Sequence, residues 1–297
     1  MWFFAGYRRG CAQCRESPER ICGCDGAPLT ATDQTQTKVL IDAHTHLDKY
    51  GDDEVEDVLA AIERHRILTL TVADDPASFV RAEAIAARSN LVMAGFGIHP
   101  SVAHEYADSM DEVCEIATRS PFIGEVGLDY RFVTDEALYA PQRQMFATLL
   151  DLALDQGKLV NVHCAGAEQN TADMLRFHRV ERAVIHWYSG PLDTLSQLVA
   201  AGYMLTIGVE VMHSSHIRDV ARAIPFDQLL TETDNPGGLR WLTGEVGQPQ
   251  IINDIVSELA TVRGVHPEEL GATVQSNIAR LFGDDPVLAP WLADLRV

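Results

Sequence analysis

Eight short apolar runs punctuate the chain, at residues 38–41, 67–72, 91–97, 121–130, 159–162, 183–185, 203–207 and 228–231. They are continuously apolar rather than alternating, the pattern of strands buried on both faces of a parallel sheet. Between them lie stretches with apolar residues at helical spacing, such as Val55, Val58, Leu59 and Ile62 in the first, or Phe146, Leu149, Leu150 and Ala153 in the fourth. Asp75 before Pro76 is a helix start, and Gly157 and Gly202 are helix stops. The C-terminal part predicts helices over 251–262 and 267–282. Eight strand–helix units in sequence order predict an α/β chain closed into a (β/α)8 TIM barrel, and 297 residues suit one such barrel. An open doubly wound sheet is the competing arrangement, but no glycine-rich nucleotide loop follows the first strand.

Chemistry in such barrels sits at the C-terminal ends of the strands. His44 and His46 stand at the end of the first run, Glu125 is placed at the end of the fourth, His163 and His186 follow the fifth and sixth, and Asp234 follows the eighth. Residues i and i+2 of a strand share a face, so His44 and His46 project together. Neutral imidazole is a good donor to zinc, manganese or iron. A lone histidine at a strand end is often only a polar residue at the edge of the core, and Asp234 before Asn235 and Pro236 could be a turn former. Six such residues at one class of position are not jointly explained that way. Four imidazoles and two carboxylates fit two divalent cations better than one, because a carboxylate can bridge. The expectation is a dinuclear metal site at the barrel mouth.

Charge narrows the function classes. The chain carries 43 acidic and 23 basic residues, a formal net charge of −20. That opposes a sequence-independent grip on DNA or on an anionic membrane. No apolar run approaches a membrane span, and the first residues lack the features of a secretory signal. A cytoplasmic monomer is expected. Residues 1–37 differ in composition from 38–297, which form the barrel. Their Cys11, Cys14, Cys22 and Cys24 offer four thiolates for a zinc knuckle, but the loop between the pairs is short and few apolar residues surround it. The segment is expected to be a disordered extension, or sequence upstream of a natural start at Val39. Cys114 and Cys164 are two lone thiols, which suit a reducing compartment.

Several short motifs then fall into a known order: DAHTHLD (Asp42 to Asp48), GIHP (Gly97 to Pro100), IGEVGLDY (Ile123 to Tyr130), QRQMF (Gln142 to Phe146), the His163 strand, HWYSG (His186 to Gly190), ETDNP (Glu232 to Pro236) and SNIARLFG (Ser276 to Gly283). In this order and spacing, residues 40–283 resemble the TatD family of metal-dependent nucleases, in the amidohydrolase superfamily. The resemblance implies that His44, His46 and Asp234 hold one metal, that Glu125 bridges, and that His163 and His186 hold the second. It implies two divalent ions (magnesium, manganese or zinc) and a transient DNA or oligonucleotide partner. Two departures stand out: Ala165 replaces the arginine usual two residues after the fifth-strand histidine, and Trp187 and Tyr188 replace Cys-Phe in the sixth-strand motif. A missing arginine removes a bidentate phosphate contact.

The implied mechanism uses metal-activated water, with Asp234 as general base. His99 and Glu232 are candidates for supporting the ligands or touching substrate. Trp187 and Tyr188 are candidates for stacking a flat group. The reading that follows is a TatD-like deoxyribonuclease. The alternative is a hydrolase of a small amide, lactone or ester. Several such enzymes bridge their metals through a carboxylated lysine on strand four, where this chain has Glu125. A barrel used only for binding would have no need of all six ligands.

Overall fold

The computed structural model describes residues 39–294. The expectations for residues 1–37, the four-cysteine zinc site among them, lie outside the described residues. Eight parallel strands appear at the predicted places: β1 (Leu40–Thr45), β2 (Ile67–Val72), β3 (Val92–Gly95), β4 (Ile123–Asp129), β5 (Val160–Ala165), β6 (Ala183–Ile185), β7 (Met204–Ile207) and β8 (Leu229–Thr231). Helices cover them: α1 (Val55–His65), α2 (Pro76–Ala86), α3 (Met110–Arg119), α4 (Tyr139–Gln156), α5 (Glu168–Phe177), α6 (Leu192–Ala200) and α7 (Ser215–Ala223). After β8 come α8 (Gly237–Thr243), α9 (Ile252–Arg263), α10 (Pro267–Phe282) and α11 (Leu288–Asp294).

The strands form two ladders, β1 to β3 and β4 to β8. Two seams join them. At the first, Phe96 and Ile123 form a parallel bridge, and the Gly124 amide donates to the Phe96 carbonyl at 2.8 Å. At the second, the Asp234 amide donates to the His44 carbonyl at 3.0 Å and the His46 amide to the Asn235 carbonyl at 2.8 Å. The barrel is closed, and the second seam is made by the segments that carry three of the candidate metal ligands.

Local chemistry accounts for the elements. Every residue of β1, β2 and β4 is buried, as strands covered on both faces require. Asp75 and Ser78 form a reciprocal cap at the start of α2. Gly157 closes α4 in the left-handed region at φ 62°, where a side chain would be strained. Pro141 lies inside the first turn of α4, two residues after the helix begins, where a missing amide costs nothing. The helix α8 is an addition to the predicted elements, because Gly237-Gly238 is a poor helix start by composition. Glu125 differs from expectation. It lies in the first half of β4 and not at its end, and the β4–β5 register shifts between Ile123 and Val126. That irregularity lets a mid-strand carboxylate reach the mouth, while Asp129 takes the strand's end.

Candidate metal centre

The six predicted residues converge at the C-terminal mouth of the barrel. His44, His46, Glu125 and His186 are buried, and His163 and Asp234 face a cavity above them. The arrangement turns on the two oxygens of Glu125. Oε2 lies 3.2 Å from His46 Nε2 and 3.6 Å from His44 Nε2. Asp234 Oδ1 completes that side, 3.4 Å from His46 Nε2 and 3.7 Å from His44 Nε2. Oε1 lies 2.7 Å from His163 Nδ1 and 3.0 Å from His186 Nε2. One carboxylate thus divides its oxygens between two nitrogen clusters, as a bridging ligand does.

The donor set fits divalent cations. His44 Nε2 and His46 Nε2 face each other at 3.3 Å, and so do His186 Nε2 and His163 Nδ1. Such pairs of ring nitrogens converge on shared points. His44, His46 and Asp234 place ligand atoms within 4.8 Å of one another, and so do His99, Glu125 and His163.

Behind each imidazole stands an oxygen. His44 Nδ1 meets Asn161 Oδ1 at 2.8 Å. His46 Nδ1 faces Asp74 Oδ1 at 3.5 Å, His163 Nε2 faces Asp129 Oδ2 at 3.4 Å, and His186 Nδ1 faces Glu232 Oε2 at 3.5 Å. Such partners fix the ring and raise its basicity toward a metal. Of these four oxygens, only that of Glu232 belongs to a residue the sequence marks as a candidate. Asp74 follows the end of β2, the same class of position as the ligands, and Asn161 lies two residues before His163, on the same face of β5. Those were the available signals.

Electrostatics separates the groups. Burial pushes the Glu125 pKa up, but the imidazoles of His186, His99 and His44 outweigh it and hold the carboxyl well below its usual range. Burial also works to raise Asp234, and the hydrogen bond and charge of His46 overcome it, leaving Asp234 below the usual carboxylate range. Burial and the neighbouring His186 depress His44 to about 3, so it is a neutral donor. Asp234 has φ 49° and Trp187 φ 40°, backbone values uncommon outside glycine and frequent at functional sites.

The remaining candidates divide. His99 sits beside the cluster, its Nε2 3.8 Å from Glu125 Oε1 and its Nδ1 2.7 Å from Ser101 Oγ. Glu232 is fully buried under His186 and accepts from the Trp187 amide at 2.9 Å, so it supports the cluster from below and does not reach the opening. Trp187 lines the cavity, with its Nε1 donating to Glu210 at 2.7 Å. Tyr188 does not. It is buried, its hydroxyl donating to the Pro191 carbonyl at 2.6 Å, because the turn after β6 sends alternate side chains to opposite sides. Arg131, Phe132, Glu210 and Trp241 also line the cavity, and no motif in the sequence marks them.

A parallel barrel with histidines and carboxylates gathered at its mouth defines a metal-dependent hydrolase. The chain belongs to the TatD family: the model described as TatD related DNase matches residues 41–283. It is 28% identical over 262 residues to the uncharacterized metal-dependent hydrolase YcfH of Escherichia coli K12, covering 83% of this chain and 96% of that protein. It is 27% identical over 261 residues to the deoxyribonuclease TATDN3 of Homo sapiens, covering 82% and 94%. The crystal structure of the TatD homologue YJJV from Escherichia coli superposes with a TM-score of 0.73 at 24% identity, covering 82% of this chain and 97% of that one. No helix of the described residues is long and apolar enough to cross a membrane.

Proposed function

We propose that this protein hydrolyses phosphodiester bonds of DNA or short oligonucleotides, acting from an end, with two divalent cations. The observation that carries the reading is the division of Glu125 between two clusters, whose His163, His186 and Asp234 line an open cavity. The name of the human relative, a deoxyribonuclease, supports the same substrate class. His44, His46 and Asp234 would hold one cation, His163 and His186 the other, with Glu125 between. Such cations, when bound, supply Lewis acidity that acidifies water and polarises the phosphoryl oxygen. Asp234, ionised and open to the cavity, takes the proton of the attacking water on its carboxylate. Asn161, Asp74, Asp129 and Glu232 keep the four imidazoles aimed. The unpaired thiols of Cys114 and Cys164 accord with a cytoplasmic setting.

The test is a panel of single-stranded DNA, an aryl phosphodiester and an N-acyl amino acid, each with Mg²⁺, Mn²⁺ or Zn²⁺ and with chelator. Metal-dependent release of nucleotides is expected, with the amide untouched. Cleavage of the amide alone would move the protein to the small-amide class of the superfamily.

The barrel is proposed to act without the N-terminal extension. All six ligands lie between His44 and Asp234, and the first described residue, Val39, is already tied in through its carbonyl to Gln275. Deleting residues 1–37 is expected to leave kcat/KM within a few-fold. A truncated protein that is folded and metal-loaded but inactive would show that the extension completes the site.

A further inference from the structure

The cavity over the metal centre has a volume of about 280 Å³, just below the roughly 300–1,000 Å³ of small-ligand clefts. A cleft of this size is on the scale of one nucleotide unit. One wall is aromatic. Trp187 and Trp241 meet edge to face with ring centroids 6.2 Å apart, and Phe132 meets Trp241 in the same way at 6.4 Å. Trp241 is 62% exposed and Phe132 60% exposed, so neither ring serves the core. Large aromatic side chains left open beside a polar cluster mark a binding surface.

These rings are held in place. The Nε1 of Trp187 donates to Glu210, and a Cβ at Gly238 would come within 2.8 Å of the Trp187 ring, so only glycine there admits the indole. Phe132 and Arg131 are fixed through their backbone, because Asp129 Oδ1 accepts from both amides, at 2.9 Å and 2.8 Å for Arg131 and Phe132 respectively. The other oxygen of that carboxylate faces His163. The rim is therefore indexed to the metal cluster by one side chain.

Arg131 is the one arginine or lysine lining the cavity among the described residues. Its Nη1 donates to Ser189 Oγ at 3.2 Å, and its Nη2 lies 3.9 Å from Glu168. A guanidinium has five N–H donors, so most remain for a ligand. Elsewhere the cavity wall carries the carboxylates Glu210 and Asp234, which oppose a second anionic group. The lining matches a flat ring plus one anion.

We propose that Trp187, Trp241 and Phe132 form a slot for one unpaired nucleobase, and that Arg131 receives the phosphate of that nucleotide. This rests on the phosphodiesterase reading and specifies its substrate. Arg131 would supply the phosphate contact from the loop after β4, next to Ala165, whose carbonyl accepts from the Arg131 amide.

The experiment compares two oligothymidylates of equal length, one ordinary and one abasic at both termini, on metal-loaded wild type, Trp241→Ala and Arg131→Ala. Trp241→Ala is expected to raise KM for the ordinary strand about tenfold or more, the scale of one base–aromatic stack, and to leave the abasic strand unchanged. Arg131→Ala is expected to raise KM for both. In fluorescence titrations, wild type should bind thymidine 5′-monophosphate more tightly than thymidine. Arg131→Ala should narrow that preference, and Trp241→Ala should weaken both ligands. Unchanged KM and unchanged binding in Trp241→Ala overturn the slot. So does a change of oligomeric state in that variant with binding intact, which would make the rim a self-association surface. If wild type cleaves neither strand with any of the metals, the phosphodiesterase reading fails, and the titrations alone decide the slot.

Discussion

Glu125→Ala loses two metal equivalents, and His163→Ala loses one. That is the expected result of elemental analysis on the purified variants, because Glu125 meets both nitrogen clusters and His163 only the Oε1 side. Turnover in both falls by more than about a hundredfold, beyond what losing an outer hydrogen-bond partner of a ligand costs. Circular dichroism and the urea midpoint should show an intact barrel, since the substituted residues line the mouth and the packed interior is built from Ile41, Leu70, Val126, Val162 and their neighbours. Loss of only one equivalent in Glu125→Ala would mean that the carboxylate serves a single cation. Collapse of the fold in both variants would make the cluster structural.

Asp234→Asn separates cation binding from proton transfer. The substitution keeps the size and one oxygen donor but removes the basic site. Asp234 is held below the usual carboxylate range because the hydrogen bond and charge of His46, with the charge of His186, outweigh its burial. A lost general base typically costs about 10²–10⁴-fold. The variant is expected to bind metal at nearly wild-type stoichiometry, to lose kcat by that factor, and to keep KM. A metal-depleted variant whose rate returns with excess Mn²⁺ would show that Asp234 is a ligand and nothing more.

The fold was legible because burial on both faces leaves its mark on each strand separately. Runs such as Ile67–Val72 need no partner to be recognised. The six ligand candidates were legible for a related reason: a barrel brings strand ends together whatever their separation in sequence. What escaped depended on side-chain direction. Tyr188 and Trp187 are neighbours, and only the backbone turn at Trp187, with its positive φ, decides which of them enters the cavity. Arg131 and Phe132 follow a strand end like the ligands, but an exposed arginine and phenylalanine in a loop carry no periodic signal. The helix α8 was hidden by its two glycines. Gly238 is there because a Cβ would meet the Thr233 carbonyl at 2.6 Å as well as Trp187, a tertiary constraint that outweighs helix propensity.

The seam between β1 and β8 has a consequence for how the protein is made. Its backbone bonds, from the Asp234 amide to the His44 carbonyl and from the His46 amide to the Asn235 carbonyl, tie the first strand to the last. Asp42 adds two more, accepting from the Thr233 amide at 2.8 Å and hydroxyl at 2.7 Å across 191 residues. A ribosome adding about 5–20 residues per second delivers the second half of this seam some ten seconds or more after the first. Throughout that interval His44 and His46 are present without Asp234, and β1 has one unsatisfied edge. The emerging chain must hold that edge open, against other strands and other chains, until the ETDNP segment arrives. Hydrolytic competence is thus acquired in a single late event, when the two ends of the barrel meet.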